Sequence, residues 1–107
     1  KLIIEGAHGP VSPRADRILA QRGIQVVPDI LANGGGVVLS YFEWVQSRTG
    51  LGWIDPVVQQ RLGRFMREAW EAVIQTGKEF DCSLRKGAHI LAVRRVADAD
   101  HQRGLYA

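Results

Sequence analysis

The chain opens with two short apolar runs that flank a segment with helix signals. Residues 2–6 and 24–28 are rich in the β-branched residues that favour strands. Between them, Ser12 stands where an N-cap belongs, Pro13 takes the first helical position, and Gly23 suits a left-handed C-terminal cap. A connection that contains a helix implies parallel strands, so the pattern predicts a parallel strand–helix–strand unit.

The remaining apolar pattern predicts three helices. The first covers residues 37–48 and the second residues 55–76, with Asp55 as its N-cap. The third covers residues 82–99, with Asp81 as its cap. The second and third helices carry apolar residues at three- and four-residue spacing, and these predict their buried faces. The residues concerned are Leu62, Met66, Ala69, Trp70, Val73, Leu84, Ala88, Leu91 and Val96.

Length and composition indicate one small globular domain. The chain has 107 residues, of which 46% are hydrophobic. No segment reaches the roughly 20 apolar residues that span a bilayer, and Cys82 is the single cysteine, so we expect a cytoplasmic protein, with an organelle matrix as the alternative. The three histidines show no metal-ligand spacing, and no metal is predicted.

The net charge of +3 raises the question of nucleic acid. The densest basic stretch is residues 85–95, but acidic residues are interleaved along the same half of the chain, and no nucleic-acid module signature is present. We interpret this stretch as a solvated or interface-facing helix. Neither a nucleic-acid partner nor a membrane is expected.

The stretch "PDILANGGGVVLSYFEW", residues 28–44, is the candidate functional segment. Three glycines permit close approach of a ligand to the backbone, and a helix that begins after them presents free N–H groups. Ser40 is predicted in the first turn, where it shares a face with Val37 above Asn33. This arrangement fits a polar organic acid, but spacing alone favours the alternative, a glycine-rich connection whose serine bonds back to the backbone.

Three stretches together carry a family resemblance. They are "IIEGAHGPVSPRAD", "RGIQVVPDILANGGGVVLSYFEWVQ" and "LRKGAHILAVRRVADA". The chain resembles, nearly end to end, the C-terminal part of glutamate dehydrogenases in the superfamily that also acts on leucine, phenylalanine and valine. The serine followed by Tyr-Phe-Glu-Trp is similar to the glutamate-specific pattern, so the resemblance implies glutamate as the substrate.

The resemblance implies a substrate-binding role for three residues. Ser40 matches the serine that hydrogen-bonds the substrate side-chain carboxylate, and Val37 matches the apolar residue of the same pocket. Asn33 matches an asparagine near both the substrate and the nicotinamide.

The resemblance also implies NAD or NADP as the cofactor. Its binding residues would be Gly6, Ala7, His8 and Asn33. His8 replaces the usual asparagine of the turn, which changes the kind of hydrogen bond that this position makes. Gly34 replaces a usual alanine, which loosens the turn without removing a functional group.

The motifs that perform the chemistry in this family are not found in the sequence. The family's lysine that polarises the reacting carbon, its aspartate for proton transfer and its glycine-rich pyrophosphate turn have no match here, so no catalytic residue is assigned. We therefore interpret the chain as the C-terminal segment of a longer enzyme. That enzyme would reversibly deaminate L-glutamate to 2-oxoglutarate and ammonia, and would form a homo-oligomer, a hexamer by resemblance.

The expected fold class is α/β, the C-terminal part of a doubly wound, Rossmann-like parallel sheet followed by helices. Residues 1–48 would end the dinucleotide-binding domain, and residues 49–107 would pack back toward the substrate domain. Two alternatives stay open, namely a dehydrogenase of another amino acid in the superfamily and a non-catalytic helical binding or regulatory module.

Overall fold

The computed structural model describes residues 1–104 and contains two strands and five helices in that range. The last three residues of the predicted second region, 49–107, therefore lie outside the described residues. In chain order the elements are β1 (Leu2–Ile4), α1 (Pro13–Gln21), β2 (Gln25–Val27), α2 (Asp29–Ala32), α3 (Gly34–Thr49), α4 (Asp55–Glu79) and α5 (Leu84–Arg103). No helix of these residues is long and apolar enough to cross a membrane.

The predicted strand–helix–strand unit is confirmed. β1 and β2 pair in parallel, with Ile3 opposite Val26, and α1 connects them. The Ser12 hydroxyl accepts a hydrogen bond from the Ala15 amide at 3.3 Å, and Gly23 has a φ of 66°, so both predicted caps of α1 are present. The class is thus α/β, with a sheet of two parallel strands in the described residues.

The start of α3 differs from the prediction. The three glycines form the first turn of α3 instead of preceding it, and Asn33 occupies the N-cap position. Glycine is a poor helix former, but packing can override that preference. A Cβ atom on Gly35 would lie 3.6 Å from Leu62 Cδ1 and 3.7 Å from Met66 Sδ, so α4 packs closely against this turn.

Two predicted caps were wrong. Asp55 is the first residue of α4 and not its cap, since Ile54 takes the N-cap position without a side-chain bond. Ser83 caps α5 in place of Asp81, because its hydroxyl accepts a hydrogen bond from the Lys86 amide at 3.3 Å. Asp81 lies in the turn before it with a φ of 44°.

A small core joins the sheet to the two long helices. Val27, Leu31, Val73 and Ala88 form the buried cluster, and Ala69, Leu84 and Leu91 pack against it, as the helical spacing predicted for α4 and α5. A second contact group surrounds the buried Phe42, whose ring meets the rings of Trp53 and Phe65 edge to face. Phe42 thereby fixes α3 against α4.

The prediction of a buried Val96 was wrong. Its exposure is 63%, and that of Val93 is 69%, because the C-terminal half of α5 extends past the core cluster. Trp70 is only partly covered, at 37% exposure. Periodicity marks the apolar face of a helix but does not say how far its partner reaches along it.

Candidate functional site

Asn33, Val37 and Ser40 lie on one face of α3. Their spacings of four and three residues correspond to successive helical turns. Because α3 begins at Gly34, Ser40 stands in its second turn, and the prediction that it lies in the first turn was wrong. Val37 is 76% exposed and Ser40 is also exposed, so the face is open in the described part of the chain.

The alternative of a serine bonded to the helix backbone finds no support in the described residues. Thr49 of the same helix does donate its hydroxyl to the Val45 carbonyl at 2.9 Å. Among residues 1–104, Ser40 makes no comparable bond, which leaves its hydroxyl free to meet a ligand from the solvent side.

Asn33 is held by its backbone and has an unused side-chain donor. Its N–H donates to the Asp29 carbonyl at 2.9 Å, and this bond continues the short helix α2 into α3. The Asn33 Nδ2 atom is buried, and no hydrogen-bond partner for it exists within the described residues. A buried amide without a partner is costly, so this atom is a good candidate for a ligand contact.

The loop that follows β1 approaches the start of α2. Gly6, Ala7 and His8 are all exposed, and the Gly9 amide donates to Asp29 Oδ2 at 2.7 Å. The other carboxylate oxygen of Asp29 accepts from the Ile30 amide at 2.8 Å. These two amides, Gly9 first, lower the pKa of Asp29 below its usual value of 3.8.

Asp29 therefore brings the two predicted groups of site residues together. Its side chain holds the loop of residues 6–9, and its carbonyl holds Asn33. The loop and the N-terminal end of α3 thus share one anchor. Sequence reasoning missed Asp29, although its position directly after the proline that follows β2 was a usable signal for a turn or cap residue.

Sequence reasoning also missed a buried ion pair between Glu5 and Arg85. Glu5 follows β1 and is 2% exposed, and its carboxylate accepts two hydrogen bonds from the Arg85 guanidinium, at 2.7 and 3.0 Å. The Arg85 hydrogen bond lowers the pKa of Glu5, against the opposing effect of burial, and the Asp29 amide contributes in the same direction. Arg85 had been assigned to a basic stretch that faces solvent or an interface, and this assignment was wrong for Arg85.

A sizeable cavity lies elsewhere. It has a volume of about 750 Å³ and is bordered by α1, β2, the end of α4 and the start of α5. None of the six predicted site residues lines it. The candidate site is an open surface, because no element within the described residues covers the exposed face of α3.

The parallel strands and the surrounding helices define an α/β fold, and the candidate site lies at the loop after β1 and the glycine-led start of α3. The family model for Glutamate/Leucine/Phenylalanine/Valine dehydrogenase matches residues 1–104. The chain therefore belongs to this dehydrogenase family, and the resemblance stated from the sequence is confirmed.

Individual relatives agree with the family match. The chain is 47% identical over 106 residues to the glutamate dehydrogenase of Thermotoga maritima, covering 99% of this chain and 26% of that protein. It is 42% identical over 106 residues to the NAD-specific glutamate dehydrogenase of Clostridioides difficile, covering 99% of the chain and 25% of that protein.

A solved structure agrees with the fold. The crystal structure of glutamate dehydrogenase from Peptoniphilus asaccharolyticus superposes with a TM-score of 0.93 at 38% identity, and covers 99% of this chain and 27% of that one. The chain thus spans about a quarter of the length of the relatives that it matches.

Proposed function

We propose that this chain is the C-terminal segment of an NAD(P)-dependent glutamate dehydrogenase that reversibly deaminates L-glutamate to 2-oxoglutarate and ammonia. Membership of the dehydrogenase family supports the reaction class, and the names of the Thermotoga and Clostridioides relatives support glutamate and NAD. The observation that carries the role of this segment is that Asn33, Val37 and Ser40 share one face at the start of α3, on which Val37 and Ser40 are exposed.

In this proposal the segment binds and orients glutamate and the dinucleotide, and the groups that perform the reaction come from elsewhere in the polypeptide. The Ser40 hydroxyl would donate to the side-chain carboxylate of glutamate, and Val37 would supply the apolar wall beside it. A bound dinucleotide would accept the hydride from the substrate α-carbon. No residue of the chain is assigned a catalytic role.

The residues present fit a nicotinamide and its ribose. Asn33 Nδ2 is a buried donor with no partner within residues 1–104. The turn of Gly6, Ala7 and His8 is exposed, and the Gly9 amide that follows it bonds to Asp29, the residue whose carbonyl also accepts from the Asn33 amide. His8 offers ring nitrogens where the family has an asparagine, and NAD and NADP both remain candidates.

Membership of the dehydrogenase family also supports a proposal for the complete domain and its oligomer. Residues 1–48 would complete a doubly wound sheet, since a parallel pair is normally part of a larger sheet, and Ile4 of β1 is 65% exposed. Residues 49–107 would pack toward the substrate domain. We propose a homo-oligomer in the cytoplasm, with the hexamer as the expected form.

The test uses the intact polypeptide and the Ser40→Ala variant. Reduction of NAD and NADP is followed with glutamate, leucine, phenylalanine and valine as substrates. Loss of a charge-assisted hydrogen bond should lower kcat/KM for glutamate by a factor equivalent to about 1–3 kcal/mol. Ser47→Ala is the matched control, because Ser47 is an exposed serine two turns further along α3.

The outcomes separate the candidates. Unchanged glutamate kinetics in Ser40→Ala would remove Ser40 from the substrate site. A wild-type enzyme that prefers leucine, phenylalanine or valine would favour the second candidate, a dehydrogenase of another amino acid, which the breadth of the family model supports. Absence of dinucleotide reduction with every substrate would favour a non-catalytic module.

A further inference from the structure

A continuous series of hydrogen bonds connects α5 with the loop after β1. Arg85 Nη1 and Nη2 donate to the two oxygens of Glu5 at 3.0 and 2.7 Å. Glu5 Oε2 accepts from the Asp29 amide at 2.9 Å, and Asp29 Oδ2 accepts from the Gly9 amide at 2.7 Å. Four residues therefore join elements that are far apart along the chain.

The first link of this series is shielded from water. The side chain of Glu5 is 1% exposed and that of Arg85 is 21% exposed. Arg85 also lies 3.3 Å from Asp16 of α1, so its position is fixed from two sides. Only arginine presents the planar fork that binds both carboxylate oxygens at once, which makes this position specific for arginine and not merely for positive charge.

The last link determines where the loop lies. Among the backbone groups of residues 6–10, the Gly9 amide has the one hydrogen bond found within the described part of the chain. The Asn33 amide is bonded to the carbonyl of the same Asp29 at 2.9 Å. A displacement of Asp29 would therefore move both the loop and the start of α3.

We propose that Arg85 is a positioning residue for the loop of residues 6–9, acting through Glu5 and Asp29. The Glu5 carboxylate accepts the hydrogen bond of the Asp29 amide, and Arg85 holds that carboxylate in the orientation needed for this bond. The role of the loop in binding dinucleotide rests on the proposed function. The control of its position by Arg85 rests only on the hydrogen bonds described above.

The test compares variants of Arg85 in the intact enzyme with a matched arginine. In Arg85→Met the fork and the charge are lost, and the KM for dinucleotide should rise about tenfold, because small displacements of a positioning group have large effects. The KM for glutamate should rise less than the KM for dinucleotide, because Ser40 is not part of the series and α3 is also held by the packing of Phe42 on Phe65 of α4. Arg64→Met is the control, because Arg64 pairs with Glu68 at 2.7 Å on an exposed helix face.

A conservative variant and a direct measurement separate positioning from general stabilisation. Arg85→Lys keeps the charge but loses the fork, so its KM for dinucleotide should lie between those of wild type and Arg85→Met. Hydrogen exchange of the amides of residues 6–9 should accelerate in both variants, while the core amides of α4 keep their protection. Where Arg85→Met fails to fold, Asp29→Ala, which removes the oxygen that accepts from the Gly9 amide, should raise the KM for dinucleotide more than the KM for glutamate.

Two results would overturn the inference. One is an Arg85→Met enzyme with wild-type KM for dinucleotide and wild-type exchange at residues 6–9. The other is exchange that accelerates equally in the loop and in α4, which would assign Arg85 a general structural role. If the wild-type enzyme shows no glutamate-dependent reduction, the proposed function fails, and the exchange comparison still decides the role of Arg85.

Discussion

The close contact between α4 and α5 predicts different effects on stability for two glycine-to-alanine changes. A Cβ atom on Gly87 would lie 3.0 Å from the Gly77 nitrogen and 3.1 Å from the Val73 carbonyl oxygen. Both neighbours are backbone atoms of α4, so no side chain can rotate to relieve the contact. On the exposed face of the same helix, a Cβ on Gly63 would meet nothing within 4 Å.

The magnitude follows from two terms. Alanine is a better helix former than glycine by about 1 kcal/mol, a gain that both variants share. Gly87→Ala adds overpacking, which costs about 1–3 kcal/mol in well-packed cores. Gly63→Ala should therefore raise the free energy of unfolding by about 1 kcal/mol, and Gly87→Ala should fall below Gly63→Ala by the overpacking cost of about 1–3 kcal/mol.

Urea unfolding, followed by tryptophan fluorescence at one protein concentration, measures this difference. Gly77→Ala adds an intermediate case, since its Cβ would lie 3.3 Å from a single backbone atom, the Cys82 carbonyl oxygen, a longer contact than those at Gly87. The expected order of stability is Gly63→Ala, Gly77→Ala, Gly87→Ala. A Gly87→Ala variant as stable as Gly63→Ala would refute the close approach of the two helices.

Two further predictions concern a cap and a charge. Ser83→Ala removes the side-chain cap of α5 and should lower the free energy of unfolding by about 1 kcal/mol, whereas the exposed Ser47→Ala should be neutral; equal urea midpoints would contradict the cap. The pKa of Glu5 is lowered in the folded state by Arg85, so the unfolded state takes up this proton first as the pH falls. The stabilisation is complete above the ordinary value of 4.5 and is lost as the pH drops through the folded pKa. The free energy of unfolding of Glu5→Gln should therefore fall less than that of the wild type as the pH drops below 4.5. If the two free energies change in parallel with pH, Glu5 makes no such contribution.

Local signals in the sequence predicted the first half of the fold well. Ser12, Pro13 and Gly23 act within a few residues of where they stand, so their effect on α1 needed no knowledge of the rest of the molecule. The start of α3 was predicted less well. Helix propensity excluded the glycines, whereas packing of Leu62 and Met66 near Gly35 favours a helical turn there.

The candidate site shows the same division. The helical spacing of Asn33, Val37 and Ser40 is a local property, and it places them on one face wherever α3 begins. The contact between the loop of residues 6–9 and Asp29 joins positions twenty residues apart, and no periodic pattern encodes it. The roles of these residues in binding remain predictions until the variants are measured.

The sequence by itself determined the order of the strands and of every helix except the short α2, the parallel pairing of the strands, the apolar faces of the long helices and membership of the dehydrogenase family. These properties depend on neighbouring residues or on motifs that can be read in order. Only the tertiary structure decided that Glu5 pairs with Arg85, that Asp29 anchors the loop, and that Gly87 lies against α4. Such contacts depend on distances between segments brought together by burial, and a linear pattern carries no measure of those distances.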